Sequence, residues 1–515
     1  MTWSKKYSTA FIAIWLIAIV LRIHQLDQRP FHVDEAVNGL ITGNLLEKGY
    51  YVYDPSAYHG PVLYYLTLPI IKLAGVRTAS ELTEWMLRLL PALAGSSLIL
   101  LLLPLRNFAR PAAILFSAFL LSLSSMLVYY SRYFIHEMLL VFFTVVLFVY
   151  GFIYLKTGRT SAVIWAGLSA GLMISTKETW IIIIFTMLVV FITEYLRQKK
   201  NSEFKPVHLL YFVIALTMPV IVFYSSFFSN PGGLSNIFEF LGHYIERAGG
   251  EQIHRYPFEY YLKVLFFYDG EQGVFFAEAG ILVLAILGIW QNGPHKFPGL
   301  AGTSGLAFLI LFLIFSIIPY KTPWNIACSL PLLIISTSLL ILDREIKIIA
   351  WPIRVMTVIG CLLLCYQMLI INFRLAEAPG NPYTYAQSGN DVLQISAKFD
   401  AVHNQLMQPD SMDVMIIAPD HAYWPLPWYL RKWPKISWWS RIPDNFYQAD
   451  LLIITESLEP ELSRKLYEQI PVEKRQMFVY LFNRPMELYP GNTVLGLVNL
   501  DIWEKLRPVN EQQSR

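Results

Sequence analysis

The chain has 515 residues, 55% hydrophobic and only 15% charged, with a mean hydropathy of +0.45. A soluble globular protein carries about 25% charged residues, so this composition excludes an ordinary soluble domain and indicates a polytopic helical membrane protein. The net charge of +3 conceals segregated basic residues rather than a basic block, which argues for membrane lipids as surroundings and against a nucleic-acid partner.

Apolar runs long enough to cross a bilayer fall at 9–26, 85–105, 111–130, 137–155, 161–176, 179–196, 207–228, 274–291, 300–319, 325–342 and 350–371. That pattern predicts about eleven transmembrane helices. Lys5 and Lys6 precede the first run as in a signal sequence, but no small-x-small cleavage site follows, so it reads as an uncleaved first helix. Residues 33–47, opened by Asp34 and Glu35, predict an amphipathic juxtamembrane helix. Segment 61–75 contains Pro69 and Lys72 and is short for a span, so it reads as re-entrant or interfacial. Cys328, Cys361 and Cys365 lie in apolar runs and read as packing residues, with neither a disulfide framework nor a metal spacing.

Basic residues set the orientation. With Lys5 and Lys6 inside and 61–75 not spanning, Arg106, Arg110, Lys156, Arg159, Arg197, Lys199, Lys200, Lys205, Arg344 and Lys347 all fall inside. Loops 27–84, 131–136, 177–178, 229–273 and 320–324 then lie outside, with everything after 372. The tail changes character. β-Branched runs at 413–419, 450–455, 477–482 and 493–498, with helical patterns at 388–408 and 459–470, predict a small α/β domain. The expected division is a transmembrane domain over 1–372 and an extracytoplasmic α/β domain over 373–515.

Charged residues in the outer loops carry the functional reading, since charge beside a bilayer is costly. Asp34 and Glu35 stand in HVDEA, where acids in a first helical turn also suit the macrodipole. Tyr58 to Pro61 reads YHGP, and His59 suits a phosphate, a metal or a sugar hydroxyl. SRYFIHEML supplies Arg132 and Glu137; an arginine at this depth also snorkels to headgroups, and Glu137 has no cation near it in sequence. STKET supplies Lys177 and Glu178, which either pair with each other or leave Lys177 for a phosphate. KTPWN supplies Lys321 beside Trp324, a residue type common in interfacial belts. No Walker or glycine-rich nucleotide loop occurs on the inner side. Outer-face chemistry cannot draw on cytosolic nucleotide sugars, so an activated group there would arrive on its own lipid phosphate. Cations would stabilise the departing phosphate and a carboxylate would take the proton of an attacking hydroxyl.

Taken in order, HVDEA, YHGP, SRYFIHE, TKE and KTPWN resemble the integral-membrane glycosyltransferases of the GT-C fold, in particular glycosyltransferase family 39. That family includes the protein O-mannosyltransferases and the aminoarabinose lipid A transferases. The motifs are most similar to a prokaryotic branch described as flippase-activity-associated. The resemblance covers residues 1–345 well and the tail only through WPLPWYLR at 424–431 and RPMELYPG at 484–491. It implies an all-α GT-C membrane domain with a C-terminal soluble α/β domain, in a prokaryotic plasma (inner) membrane. It also implies an inverting enzyme that moves a hexosyl or pentosyl group from a polyprenyl-phosphate donor to a lipid, glycan or protein acceptor. Asp34 would be the general base and Glu35 its assistant; Arg132, Lys177 and Lys321 would meet the phosphate, with His59, Glu137 and Glu178 beside them. Where relatives often carry Lys-Pro-Pro, this chain has His59-Gly60-Pro61, which leaves the donor contact open. Asp34, Glu35, His59 and Glu137 form a mixed N/O set that would suit a divalent ion such as zinc or manganese.

Trp424, Trp428, Trp433, Trp438 and Trp439 crowd the tail and suit either a headgroup boundary or a sugar face, with Trp424 and Trp428 as candidate acceptor contacts. Asp420 and His421 follow a predicted strand end, where α/β sites gather. Two other readings compete with the enzyme: a flippase or transporter for lipid-linked sugars, and a non-catalytic assembly partner. Charges at span ends rather than at mid-bilayer favour surface chemistry over transport.

Overall fold

A computed structural model describes residues 3–54, 59–198, 205–237, 254–292, 299–342, 351–405 and 412–510. Tyr58, Lys199, Lys200, Arg344, Lys347 and the last three residues of the helix expected over 388–408 lie outside them. In hydrocarbon every backbone polar group needs an internal partner, which selects helices. Among the described residues eight helices are long and apolar enough to cross a membrane: Lys5–Ile23, Glu84–Asn107, Glu137–Thr157, Trp180–Arg197, Pro206–Tyr224, Gly299–Ile317, Pro323–Leu342 and Trp351–Arg374. Four apolar helices are shorter, at Val62–Leu73, Pro111–Leu123, Thr160–Ile174 and Ala279–Asn292. The protein is an integral membrane protein.

Two expected spans are corrected by local chemistry. The run 111–130 breaks at Ser124, which leaves the helical region (φ −56°, ψ 117°) and caps a new helix, Ser125–Tyr130, by accepting the Leu127 N–H. Glu278 takes the Ser124 hydroxyl at 2.9 Å and the Met126 N–H at 2.8 Å. Arg22, fully buried in the first span, donates to the carbonyls of Leu121 and Ser122 at the broken helix end, where a cation complements the exposed carbonyls. The run 274–291 begins as a hairpin, β1 (Tyr268–Gly270) against β2 (Gly273–Phe275), and turns helical only at Ala279.

Compactness divides the chain into two units. The first comprises Met1–Leu26, Asn44–Arg77 and Leu82–Tyr385; the second comprises Asp27–Gly43, Thr78–Glu81 and Ala386–Arg515. In the first unit, Glu137–Thr157 and Pro323–Leu342 are 78% and 89% buried, which makes them the central helices. Thr160–Ile174 packs on Pro206–Tyr224 through Gly167 and Gly171. A β-carbon on Gly171 would lie 2.1 Å from the Leu216 carbonyl oxygen, so only glycine permits this approach.

The second unit is built on a six-stranded sheet ordered β4-β3-β5-β8-β6, with β7 also paired to β8. Its strands are β3 (Val414–Ile417), β4 (Ile436–Trp439), β5 (Leu451–Thr455), β6 (Phe478–Tyr480), β7 (Met486–Tyr489) and β8 (Asn492–Asn499). β3 runs parallel to β4 and β5, while β8 is antiparallel to β5, β6 and β7. Alternate residues Met415, Ile417, Leu452, Ile454, Leu495 and Leu497 share one face and form a core with Phe446 and Leu462. The helix Asp391–Gln405 is tied to the sheet by Arg484, which grips Asp391 with two 2.6 Å hydrogen bonds. That guanidinium holds the Asp391 carboxyl below its usual range.

Candidate functional site

In the first unit the site is organised by a backbone crossing. The Gly60 N–H donates to Thr176 O at 3.1 Å and the Val62 N–H donates to Ser175 O at 3.1 Å. A β-carbon on Gly60 would lie 2.3 Å from that Ser175 oxygen, so the HGP segment can lie here only with glycine at its centre. The crossing brings His59 Nδ1 within 2.7 Å of Glu178 Oε2. His136 Nε2–H donates to the Gly60 carbonyl at 3.0 Å, and its ring lies 5.1 Å from that of His59 and 5.4 Å from that of Tyr64. Three loops distant in sequence thus share one cluster.

Lys177 pairs with Glu137, forty positions earlier, and both are buried. Sequence proximity suggested Lys177 with Glu178; the structure separates them, giving Glu137 the cation its own segment lacks and giving Glu178 to His59. Glu137 also opens its helix, where the dipole favours an anion. Burial works against the Lys177 charge, but Glu137 outweighs it and holds the ammonium above its usual value. Burial likewise opposes the Glu178 carboxylate, and His59 overcomes it, so the group ionises below its usual range. His136 moves well below the histidine range, first through burial and then through His59 and Lys177.

The other two cations bind backbone. Arg132 donates to the carbonyls of Leu21, His24 and Gln25, where the first span ends, and lies over the Phe373 ring at 4.8 Å. Lys321, also buried, donates to Tyr256 O at 2.9 Å and Ile318 O at 2.6 Å. Those acceptors orient its charge without cancelling it, and burial lowers its pKa. Tyr385 hydrogen-bonds His254, and the Tyr385 and Trp324 rings meet at 5.5 Å. Tyr129 and Tyr130, inside the SRY segment's approach, bond to Ala376 O and Tyr383 O at 2.8 and 3.0 Å. These tyrosines carry no charge to mark them in an outer loop; paired tyrosines beside an arginine loop are the available signal.

In the second unit, the DE pair splits in role. Glu35 is fully buried and accepts the His32 N–H at 3.1 Å, the return half of a capping box at the start of Val33–Lys48. The Asp34 side chain is 53% exposed, and its backbone N–H donates to His32 Nδ1 at 3.0 Å, which places the imidazole proton on Nε2. The segment before it is gripped by the tail. Tyr429 OH accepts the Phe31 N–H at 2.7 Å, Gln387 donates to Pro30 O at 2.9 Å, and the Phe31 and Trp428 rings meet at 4.9 Å. Trp428 is fully buried with Arg431 3.8 Å above its ring, so it serves as an anchor of this segment. Trp424 is only partly buried, beside Tyr423. Asp420 and His421 are exposed after β3.

The four candidate metal ligands do not form a centre. His59 and Glu137 are bonded to Glu178 and Lys177, and among the described residues no group of three or more His, Cys, Asp or Glu is placed to hold an ion.

Residues 58–223 match the family model of dolichyl-phosphate-mannose-protein mannosyltransferases. That stretch contains His59, Arg132, Glu137, Lys177 and Glu178 but not Asp34, Glu35 or Lys321. No curated protein matches the chain significantly. Among solved structures, ArnT from Cupriavidus metallidurans bound to undecaprenyl phosphate is similar, with a TM-score of 0.67 at 14% identity over 96% of this chain and 98% of that one. The archaeal oligosaccharyltransferase AglB from Archaeoglobus fulgidus, in complex with an inhibitory peptide and a dolichol-phosphate, is similar with a TM-score of 0.54 at 13% identity over 98% of this chain and 77% of that one. At such identities the likeness is one of fold, and the fold is that of the GT-C glycosyltransferases.

Proposed function

We propose that this GT-C membrane protein is an inverting glycosyltransferase, moving a sugar from a polyprenyl-phosphate donor to an acceptor hydroxyl at the outer face of a prokaryotic plasma membrane. One observation carries the reading: His59, His136, Glu137, Lys177 and Glu178 converge from separate loops at one end of a membrane bundle. The undecaprenyl phosphate bound by the structurally similar ArnT supports a lipid-phosphate donor. Basic residues at the other helix ends, Lys156 and Arg159 among them, support an extracytoplasmic site and tail.

In this reaction the acceptor oxygen attacks the anomeric carbon as the bond from that carbon to the phosphate oxygen breaks. The polyprenyl phosphate leaves with the bonding pair. Lys177, Lys321 and Arg132 stabilise the growing phosphate charge, and their fixed partners mean little reorganisation is needed. His59 stands in for the lysine of related sequences, oriented by Glu178. Asp34 accepts the acceptor proton; its exposure supports that role, while buried Glu35 fixes the helix start. Trp424 contributes to acceptor recognition.

Asp34→Asn, reconstituted in proteoliposomes with polyprenyl-phosphate sugars, should lower transfer at least ~10²-fold while donor binding persists. Unchanged turnover would remove Asp34 from the mechanism. A lipid transporter or assembly partner would show no transfer in the wild type.

A further inference from the structure

The Glu137–Thr157 helix places Glu137 in the cluster above and Thr157 about 30 Å away, at 1.5 Å per residue. At that far end a pocket of about 540 Å³ opens between this helix, the end of Glu84–Asn107 and the start of Thr160–Ile174. Leu103, Phe108 and Ile153 give it apolar walls, and Arg106, Asn107 and Arg159 give it a polar rim. Among the described residues no carboxylate lines it. Both arginines are exposed, and among the described residues neither guanidinium has a hydrogen-bond or ion-pair partner. The contrast with Lys156 is informative: three residues from Arg159, it is bound to Glu194 at 2.7 Å and so is spent on packing. Lys156 is thus committed to a structural pair, while the guanidinia of Arg106 and Arg159 stand uncommitted on one cavity.

Two like charges at one rim repel unless an anion lies between them. Guanidinium forks match phosphate oxygens. Apolar walls at a helix-end depth suit acyl chains, and basic pockets between membrane helices hold anionic headgroups. We propose that this pocket binds the phosphate headgroup of an anionic membrane lipid, with an acyl chain along Leu103, Phe108 and Ile153. It is a second lipid site, separate from the cluster at the opposite helix end and independent of the transfer reaction.

Native mass spectrometry of the detergent-purified full chain, titrated with phosphatidylglycerol or phosphatidylcholine, tests this. The wild type should retain phosphatidylglycerol in preference to phosphatidylcholine. Arg106→Gln/Arg159→Gln should weaken retention roughly 30-fold, the effect of two surface cations, whereas Lys48→Gln/Lys72→Gln, the same charge loss elsewhere, should not. Both arginines are exposed, so the double variant should keep the wild-type melting temperature. Equal retention by wild type and double variant would overturn the proposal. Displacement of the lipid by millimolar inorganic phosphate, with phosphate alone raising the melting temperature, would identify a free-anion site and overturn the lipid assignment.

Discussion

The carbonyl oxygen of Ser175 occupies the place where Gly60 would carry a β-carbon, 2.3 Å from it. This contact holds the HGP segment against the turn that bears Lys177 and Glu178, and so sets the bond between His59 and Glu178. Gly60→Ala should force these backbones apart and destabilise the protein by about 1–3 kcal/mol, as overpacking does. Transfer should fall further than in His59→Ala, which leaves the crossing intact. Melting temperature and turnover of the two variants decide it; a stable, fully active Gly60→Ala would show that the crossing does not position the site.

Lys177 and Glu137 make a buried pair whose halves are unequal to lose separately. Lys177→Met strands a buried carboxylate and should cost about 3–5 kcal/mol. Lys177→Met/Glu137→Met should restore most of that stability yet remain inactive, because the cation for the phosphate is gone. A double variant with wild-type turnover would make the pair purely structural.

Tyr429 holds the backbone of Phe31, three residues before Asp34, from 398 positions away. Tyr429→Phe removes a hydrogen bond worth about 1 kcal/mol net. Amide exchange over residues 31–36 should quicken several-fold while exchange in the central helix Glu137–Thr157 stays unchanged. Uniform exchange across both regions would deny the anchor role.

His136 ionises well below the histidine range in the folded protein. Its unfolded value is about 6.5, so below that pH the unfolded chain binds a proton that the native one refuses. The contribution to stability is therefore complete above pH ~6.5 and lost as pH falls through the window beneath it, by at most about 1.4 kcal/mol per pH unit. Glu178, also depressed, adds a second loss at lower pH, below the ordinary carboxylate range. Melting temperatures in detergent between about pH 8 and about pH 5.5 should decline for the wild type and decline less for His136→Gln. Parallel curves would mean that His136 does not set the acid sensitivity.

Much of this architecture was legible in the chain. Hydropathy marks the long helices because the bilayer requires an apolar surface over a fixed length, and each long run has a helix within it. The tail strands β3, β5, β6 and β8 were visible as β-branched or apolar runs, while β4, an edge strand reading ISWW, carries no alternation to mark it. The break at Ser124 was hidden, because the Glu278 carboxylate that accepts its hydroxyl lies 154 positions later.

The residue types of the candidate site were legible for the same reason: a charge beside a membrane stands out against an apolar background. Their partners were not. Sequence offers Glu178 to Lys177 by adjacency, but Glu137 and His59 reach them from other loops and take the hydrogen bonds. The adjacent acids Asp34 and Glu35 share one motif, and only the fold shows that burial and a backbone N–H engage Glu35 while the Asp34 side chain stays exposed. Composition and periodicity determined that this chain is a membrane helical bundle with an α/β tail. Tertiary packing decided which charges pair, because pairing depends on distances across the fold that no local pattern encodes.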